Sequence, residues 1–224
     1  MTLVSLHLPK TAGTSFGSSL RDHFGDTLLE DYGDEGISKS RTERNLSALL
    51  SGVRIGRQGL DEINCVHGHF LPLKYRLLAR RQDLEFVTWM RDPIDRMVSH
   101  FNFWQETYDR ETSAQHHRVV VEEGWTLKQF CCSPKFRNIY SQYLWGFPLQ
   151  RFAFIGITEH YEEDLEYFSG RFLSDSLWHQ RLNATTSETA SPIDAEFRLK
   201  LEAFHHKDMS LYRQACRSRE TRLE

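Results

Sequence analysis

Three clusters of residue types in this sequence can do chemistry. The first is Pro9-Lys10-Thr11-Ala12-Gly13-Thr14-Ser15, which follows an apolar run and opens a stretch of helical periodicity. A strand that turns into a helix through small residues aims backbone N–H groups and the positive helix end at one spot, and that spot suits a phosphate. Lys10 adds a point charge, and Thr11, Thr14 and Ser15 add hydroxyl donors. The nucleotide-triphosphate loop G-x-x-x-x-G-K-[ST] is absent, because Lys10 precedes Gly13 instead of following it. The same spacing also suits a plain strand-to-helix turn capped by its own hydroxyls.

The second cluster is Arg91-Asp92-Pro93-Ile94-Asp95-Arg96-Met97-Val98-Ser99, directly after the apolar run of residues 84–90. Arg91 then lies at the carboxyl end of a buried strand, where open α/β sheets bind ligands. A guanidinium there offers planar, multi-donor recognition of phosphate. Ser99 falls two helical turns into the following helix. An ion pair with a nearby carboxylate is the alternative role for Arg91. Asp92-Pro93 reads as a helix start, with Asp as N-cap and Pro in first position. An Asp closing an apolar strand also resembles the magnesium-holding segment of P-loop kinases; the proline favours the cap.

The third cluster is His67-Gly68-His69. Strand alternation puts the two histidines on one face, and an imidazole near pH 7 suits removal of a hydroxyl proton. With Cys65 the pair could instead supply three metal ligands, but no fourth ligand cluster with matching spacing accompanies them. Two ordinary half-buried histidines are the remaining alternative. Just downstream, Lys74, Arg76, Arg80 and Arg81 fall within eight residues. Such a stretch can hold an anionic sugar chain or form a solvated helix face.

The elements that must position these groups are legible in outline. Strands are predicted over residues 2–8, 64–69, 84–90 and 152–158, and helices over 14–24, 93–106, 161–172 and 195–216. Strands separated by helical patterns indicate βαβ units, hence an α/β fold with a central, mainly parallel sheet. The whole chain, 1–224, reads as one domain. Residues 31–38 read as an acidic, solvated surface loop, and residues 183–192 as a polar loop.

Composition sets further bounds. Lys plus Arg number 28 against 31 Asp plus Glu, a net charge of −3, which argues against a general nucleic-acid binder. No apolar stretch approaches the ~20 residues of a membrane span. The N-terminus lacks the basic leader of a signal peptide. Cys131 and Cys132 are adjacent, so the four cysteines are expected as thiols in a reducing compartment, the cytoplasm.

Taken in order, the two phosphate motifs resemble those of the PAPS-dependent sulfotransferases, specifically the heparan sulfate 2-O-sulfotransferase-like group; PAPS is 3′-phosphoadenosine 5′-phosphosulfate. Pro9 to Ser15 is similar to that family's P-K-T-[AG]-[GS]-T-S loop, and Arg91 to Ser99 to its R-D-P-[IV]-x-R-x-x-S motif. Phe154 to Glu159 and Asp208 to Tyr212 look like its late strand and its C-terminal helix signature. The resemblance implies a P-loop-like, three-layer sulfotransferase fold. It implies that Pro9, Lys10, Thr11, Ala12, Gly13, Thr14 and Ser15 hold the 5′-phosphosulfate, with Lys10 stabilising the leaving oxygen, and that Arg91 and Ser99 hold the 3′-phosphate. Thr185 and Thr186 fall where the family closes a polar loop over the cofactor.

The resemblance also makes His69 the general base and His67 its support, in an in-line sulfuryl transfer that needs no metal. It points to an acceptor hydroxyl on a carbohydrate or small molecule, with Lys74 and Arg76 as acceptor contacts and adenosine 3′,5′-bisphosphate as product. Eight residues precede Pro9, so almost all of the chain reads as catalytic domain, with little left for an anchor. A P-loop-type small-molecule kinase and a catalytically inactive nucleotide-binding protein are the competing functional classes.

Overall fold

The computed structural model describes residues 1–34, 40–80, 82–173 and 193–224. Five parallel strands form one sheet: β1 (Thr2–Leu6), β2 (Leu28–Glu30), β3 (Cys65–Gly68), β4 (Leu84–Met90) and β5 (Phe152–Ile157), in the order β2-β3-β1-β4-β5. Parallel strands need crossover connections, and helices supply them. They are α1 (Gly13–Phe24), α2 (Arg41–Gln58), α3 (Pro93–Glu106), α4 (Gln115–Glu122), α5 (Leu127–Cys131), α6 (Ile139–Tyr143), α7 (Tyr161–Phe172), α8 (Ala195–Phe204) and α9 (His206–Leu223).

Side-chain alternation along the strands feeds two cores. Leu3, Cys65, Val87, Trp89 and Phe154 face one side, where Phe16 and Leu20 of α1 and Leu165 and Phe168 of α7 cover them. Val4, Leu6, Val66, Phe86, Met90 and Ile155 face the other, against Tyr140 of α6 and Ala215 of α9. The sheet is thus covered on both faces, the arrangement expected of near-continuous apolar strands. A third cluster packs α3 and α5 against α8 through Ile94, Met97, Phe130 and Leu201.

Strand order decides where the chemistry sits. The chain leaves β1 for β2 and β3 on one side and later crosses to β4 and β5 on the other. A crevice therefore opens at the carboxyl end of β1, the topological switch point of the sheet. Lys10 follows β1, His69 follows β3 and Arg91 follows β4, so all three emerge at the same sheet edge.

Three expectations shift. The three-residue edge strand β2 and the long helix α2 join the predicted elements. β1 ends at Leu6 rather than at residue 8. The helix expected over 195–216 is broken at His205. That imidazole is buried, donating from Nε2 to the Cys131 carbonyl (2.9 Å) and accepting at Nδ1 from the Asn138 N–H (3.3 Å). The chain bends there to keep both bonds.

Candidate functional site

The loop between β1 and α1 is backbone held under tension. Lys10 and Ala12 both adopt left-handed conformations, with φ of 64° and 62°, which cost a non-glycine residue roughly 1–2 kcal/mol each. Thr11, between them, is fully buried and its hydroxyl donates to the Leu8 carbonyl (2.8 Å). Ala12 is the N-cap of α1, and no side chain caps that end. The first N–H groups of α1 thus face the turn without a carboxylate or hydroxyl cap, which is the condition for anion binding. Gly13 is required by its neighbour: a Cβ there would lie 1.9 Å from the His7 ring.

Two cations meet at this loop. Lys10 Nζ sits 3.9 Å from the centre of the Phe103 ring on α3. Burial, and then the charge of Arg91, lower the Lys10 pKa, while Glu106 raises it more weakly. Among the described residues no carboxylate forms an ion pair with Lys10 or Arg91. The structural ion pair considered for Arg91 is therefore not seen among them. Ser99 precedes Phe103 by one helical turn, on the same stripe of α3, so its hydroxyl belongs to the face that Lys10 approaches.

Arg91 is fixed by its backbone. The buried Tyr140 hydroxyl accepts from the Arg91 N–H (3.1 Å) and donates to the Arg91 carbonyl (2.7 Å). Tyr140 is held in turn by Asp208, whose carboxylate accepts from the N–H groups of Tyr140 (2.9 Å) and Ser141 (3.0 Å) at the start of α6. The C-terminal Asp208 to Tyr212 signature thereby acts on the second phosphate motif through Tyr140. Asp92 behaves as the helix cap its proline indicates. Its Oδ1 accepts from Ile94 N–H (2.9 Å) and Asp95 N–H (3.1 Å), and its Oδ2 pairs with Arg198 (2.9 Å).

The two histidines of β3 are joined by a third that the sequence reading missed. His7 lies 4.2 Å from His69 and 5.3 Å from His67, ring centre to centre. His69 donates from Nδ1 to the His7 carbonyl (2.5 Å). That bond fixes the proton on Nδ1 and makes Nε2 the lone-pair nitrogen, the tautomer a general base needs. His67 is buried and bonds Ser5 Oγ through Nδ1 (2.9 Å). Burial, and then the charge of His69, push its pKa down to about 3. Burial also holds His7 well below the ordinary histidine value. Both stay neutral near pH 7. Among the described residues no group of three or more His, Cys, Asp or Glu is arranged for a metal; Cys65 is buried with its pKa raised.

Part of the expected acidic surface loop is built into the site instead. Beyond β2, Asp31 N–H donates to the His67 carbonyl (2.9 Å) and Asp34 N–H to the His69 carbonyl (3.3 Å). The Asp31 carbonyl occupies the place of a Gly68 Cβ, 2.0 Å away, which explains the glycine between the histidines. Tyr32 meets the His69 ring edge-on at 5.2 Å. Residues 35–38 of that loop lie outside the described residues.

This pinning uses Lys74, which corrects its expected role as an acceptor contact. Its Nζ is buried, 2.8 Å from Asp31 and 3.0 Å from Asp34. Two desolvated carboxylates hold it, so it braces the His69 turn and does not face solvent. Arg76 is half-buried and its Nη1 reaches the Gly146 carbonyl (3.5 Å). The expected contacts Thr185 and Thr186 lie outside the described residues. No helix among the described residues is long and apolar enough to cross a membrane.

No protein-family model matches the chain, and no curated protein matches it. Solved structures similar to it include two sulfotransferases. One is a sulfotransferase from Alicyclobacillus acidocaldarius, 14% identical, covering 93% of this chain and 92% of that one, with a TM-score of 0.45. The other is mouse sulfotransferase SULT7A1 complexed with PAP, 11% identical, covering 90% of this chain and 62% of the mouse chain, with a TM-score of 0.41.

Proposed function

We propose that this chain is a PAPS-dependent sulfotransferase that modifies an acceptor hydroxyl, on a carbohydrate, by in-line displacement. The observation that carries the reading is the pair of cations, Lys10 and Arg91, brought together at the carboxyl ends of β1 and β4 beside the uncapped start of α1. Like charges placed together in a half-buried crevice are unfavourable until an anion joins them. A ligand with phosphate at both ends, as PAPS has, fits one cation at each end.

The chain's own residues divide the work. Pro9 to Ser15 would hold the 5′ end through the backbone N–H groups of the turn and the charge of Lys10. Arg91 and Ser99 would hold the 3′-phosphate, and Thr185 and Thr186 remain contacts proposed from sequence. When bound, PAPS supplies the sulfuryl group and leaves as adenosine 3′,5′-bisphosphate. His69 takes the acceptor proton at Nε2, because Nδ1 is occupied by its bond to the His7 carbonyl. His7, packed on the His69 ring, and His67, bonded to Ser5, stay neutral, so the base sees no second imidazolium. Lys10 places positive charge where the leaving oxygen gains negative charge, the electrostatic role that oriented donors play in phosphoryl transfer. Arg76 remains a proposed acceptor contact.

Calorimetric titration tests the assignment. Adenosine 3′,5′-bisphosphate should bind far more tightly than 5′-AMP, and Arg91→Ala should remove most of that preference. Equal affinity for the two nucleotides in the wild-type protein overturns it. A panel of sugars, phenols, amines and lipids with labelled PAPS then identifies the acceptor class; transfer confined to non-carbohydrates overturns the carbohydrate assignment.

A further inference from the structure

Helix α2 buries the wrong side for an isolated surface helix. Its inward face carries Arg44, Ala48 and Gly52. Its outward face carries Leu46, Leu49, Leu50 and Val53, which are 43% to 64% exposed. Leu77 lies beside them, its Cβ 3.3 Å from the place of a Gly56 Cβ. Of the eleven large apolar side chains exposed among the described residues, five therefore gather in one patch. Such a patch marks an interaction surface more often than chance.

The pattern along the stripe identifies the occupant. Glu43, Leu46, Leu50, Val53 and Arg57 follow one another at spacings of three, four, three and four. That is the seam of two packed helices, apolar in the middle and oppositely charged at its two ends. An antiparallel pairing about a two-fold axis at Leu50 sets Leu46 of one copy over Val53 and Arg54 of the other. It sets Glu43 of each copy against Arg57 of the other. Exposed Arg41 of each copy then falls near exposed Asp61 and Glu62 of the other, just beyond the end of the helix. Antiparallel packing also opposes the helix dipoles favourably. A patch that complements itself in both shape and charge is what an isologous interface requires. The exposed face also carries Arg41 and Arg54, so an anionic lipid surface is the competing occupant that the test must separate.

We propose that two copies of this chain dimerise through α2, antiparallel, with the axis at Leu50. The inward face of α2 shows what the dimer would brace. Gly52 packs on the Lys74 carbonyl, 2.9 Å from the place of its Cβ, and Arg44 donates to the Gln142 carbonyl (3.2 Å). The seam thus backs onto the turn that follows His69. One helix seam buries less than the ~1,200 Å² of a standard stable complex, so association in the micromolar range is expected.

Sedimentation velocity from about 1 to about 100 μM tests this. The mass should rise from one chain to two, and Leu50→Glu, with unchanged circular dichroism, should remain one chain throughout. Glu43→Gln, which can still close the capping box with Ser40, and Arg57→Gln should each weaken the dimer about 5-fold, and the two together no further than either alone. Because a residue on the axis meets itself, Leu50→Cys in a Cys132→Ser background should form an intermolecular disulfide, whereas Arg57→Cys should not. A wild-type chain that stays monomeric to the top concentration overturns the proposal. So does a dimer indifferent to Leu50→Glu, or a monomer that sediments with vesicles of anionic phospholipid.

Discussion

Replacing Tyr140 with Phe removes a single oxygen and leaves the ring in place. The hydroxyl is fully buried and brackets the Arg91 peptide, accepting at 3.1 Å and donating at 2.7 Å. Burial keeps it protonated by raising its pKa, so both bonds persist at any working pH. A net hydrogen bond is worth about 1 kcal/mol, and the substitution loses two, so the variant should be less stable by about 2 kcal/mol. The same bonds hold the end of β4 from which the Arg91 guanidinium projects. Releasing the peptide adds freedom that ligand binding must remove, and about 1 kcal/mol of that cost weakens adenosine 3′,5′-bisphosphate roughly 5-fold. Affinity for 5′-AMP, which lacks the 3′-phosphate, should not change. Thermal melts and calorimetry with both nucleotides read the two effects separately. If stability falls while bisphosphate affinity stays within about twofold of wild type, Tyr140 supports the fold alone and the positioning argument fails.

His69→Ala should lower the turnover of labelled PAPS by about 10²–10⁴ while nucleotide affinity is unchanged; turnover near wild type removes His69 as the base. Lys74→Met strands Asp31 and Asp34, two poorly hydrated carboxylates, and should destabilise the protein by about 3 kcal/mol in urea unfolding; a loss below about 1 kcal/mol would show that this ion triad is not structural. Burial lifts Asp208 to about 6 from 3.8, so its contribution to stability is full below about pH 4 and is lost as pH rises towards 6. Burial lowers His205 to about 4 and His67 to about 3, both from 6.5, so their contributions are full above pH 6.5 and are lost as pH falls through 4. Acidification from pH 6.5 to 4 should therefore destabilise the protein, and more steeply in Asp208→Asn, where the opposing carboxylate is gone; melting temperatures across that range decide it.

How much of this was readable from sequence varies with the range of the interaction. β4 and β5 announce themselves through long apolar runs, and α3 through its Asp-Pro start, because local sequence alone specifies them. β2 is three residues long at a sheet edge, too short to carry a period. α2 hid for a different reason: its leucines point outward, and its buried side is made of small residues and an arginine. Its capping box, Ser40 with Glu43, was the local signal that could have found it. The roles of Asp31, Asp34 and Lys74 depend on ion pairs that span some forty residues, which no local pattern encodes. His7 had one available sign, a histidine at the end of the first strand directly before the phosphate loop.

A net charge of −3 is compatible with the proposed anion site because the fold gathers two cations away from the carboxylates. The crossing at β1 brings Lys10 and Arg91 to one edge, among described residues that offer neither an ion pair. The cost is visible in three places: left-handed Lys10 and Ala12, an uncapped α1, and a Lys10 whose pKa is lowered by burial and by Arg91. Two of these, the uncapped helix start and the Lys10–Arg91 repulsion, are electrostatic, and an anionic ligand spanning the two cations would relieve both. The turn already stands in its left-handed form, so a ligand would not have to order it. Ligand at one hundred times its dissociation constant adds about 2.7 kcal/mol to stability by mass action. Relief of the Lys10–Arg91 repulsion would also return the Lys10 pKa upward. Under the proposed function, a ligand of the same shape without the negative charge would gain neither effect, so the charge at these two strand ends would select the ligand more than the shape of the crevice would.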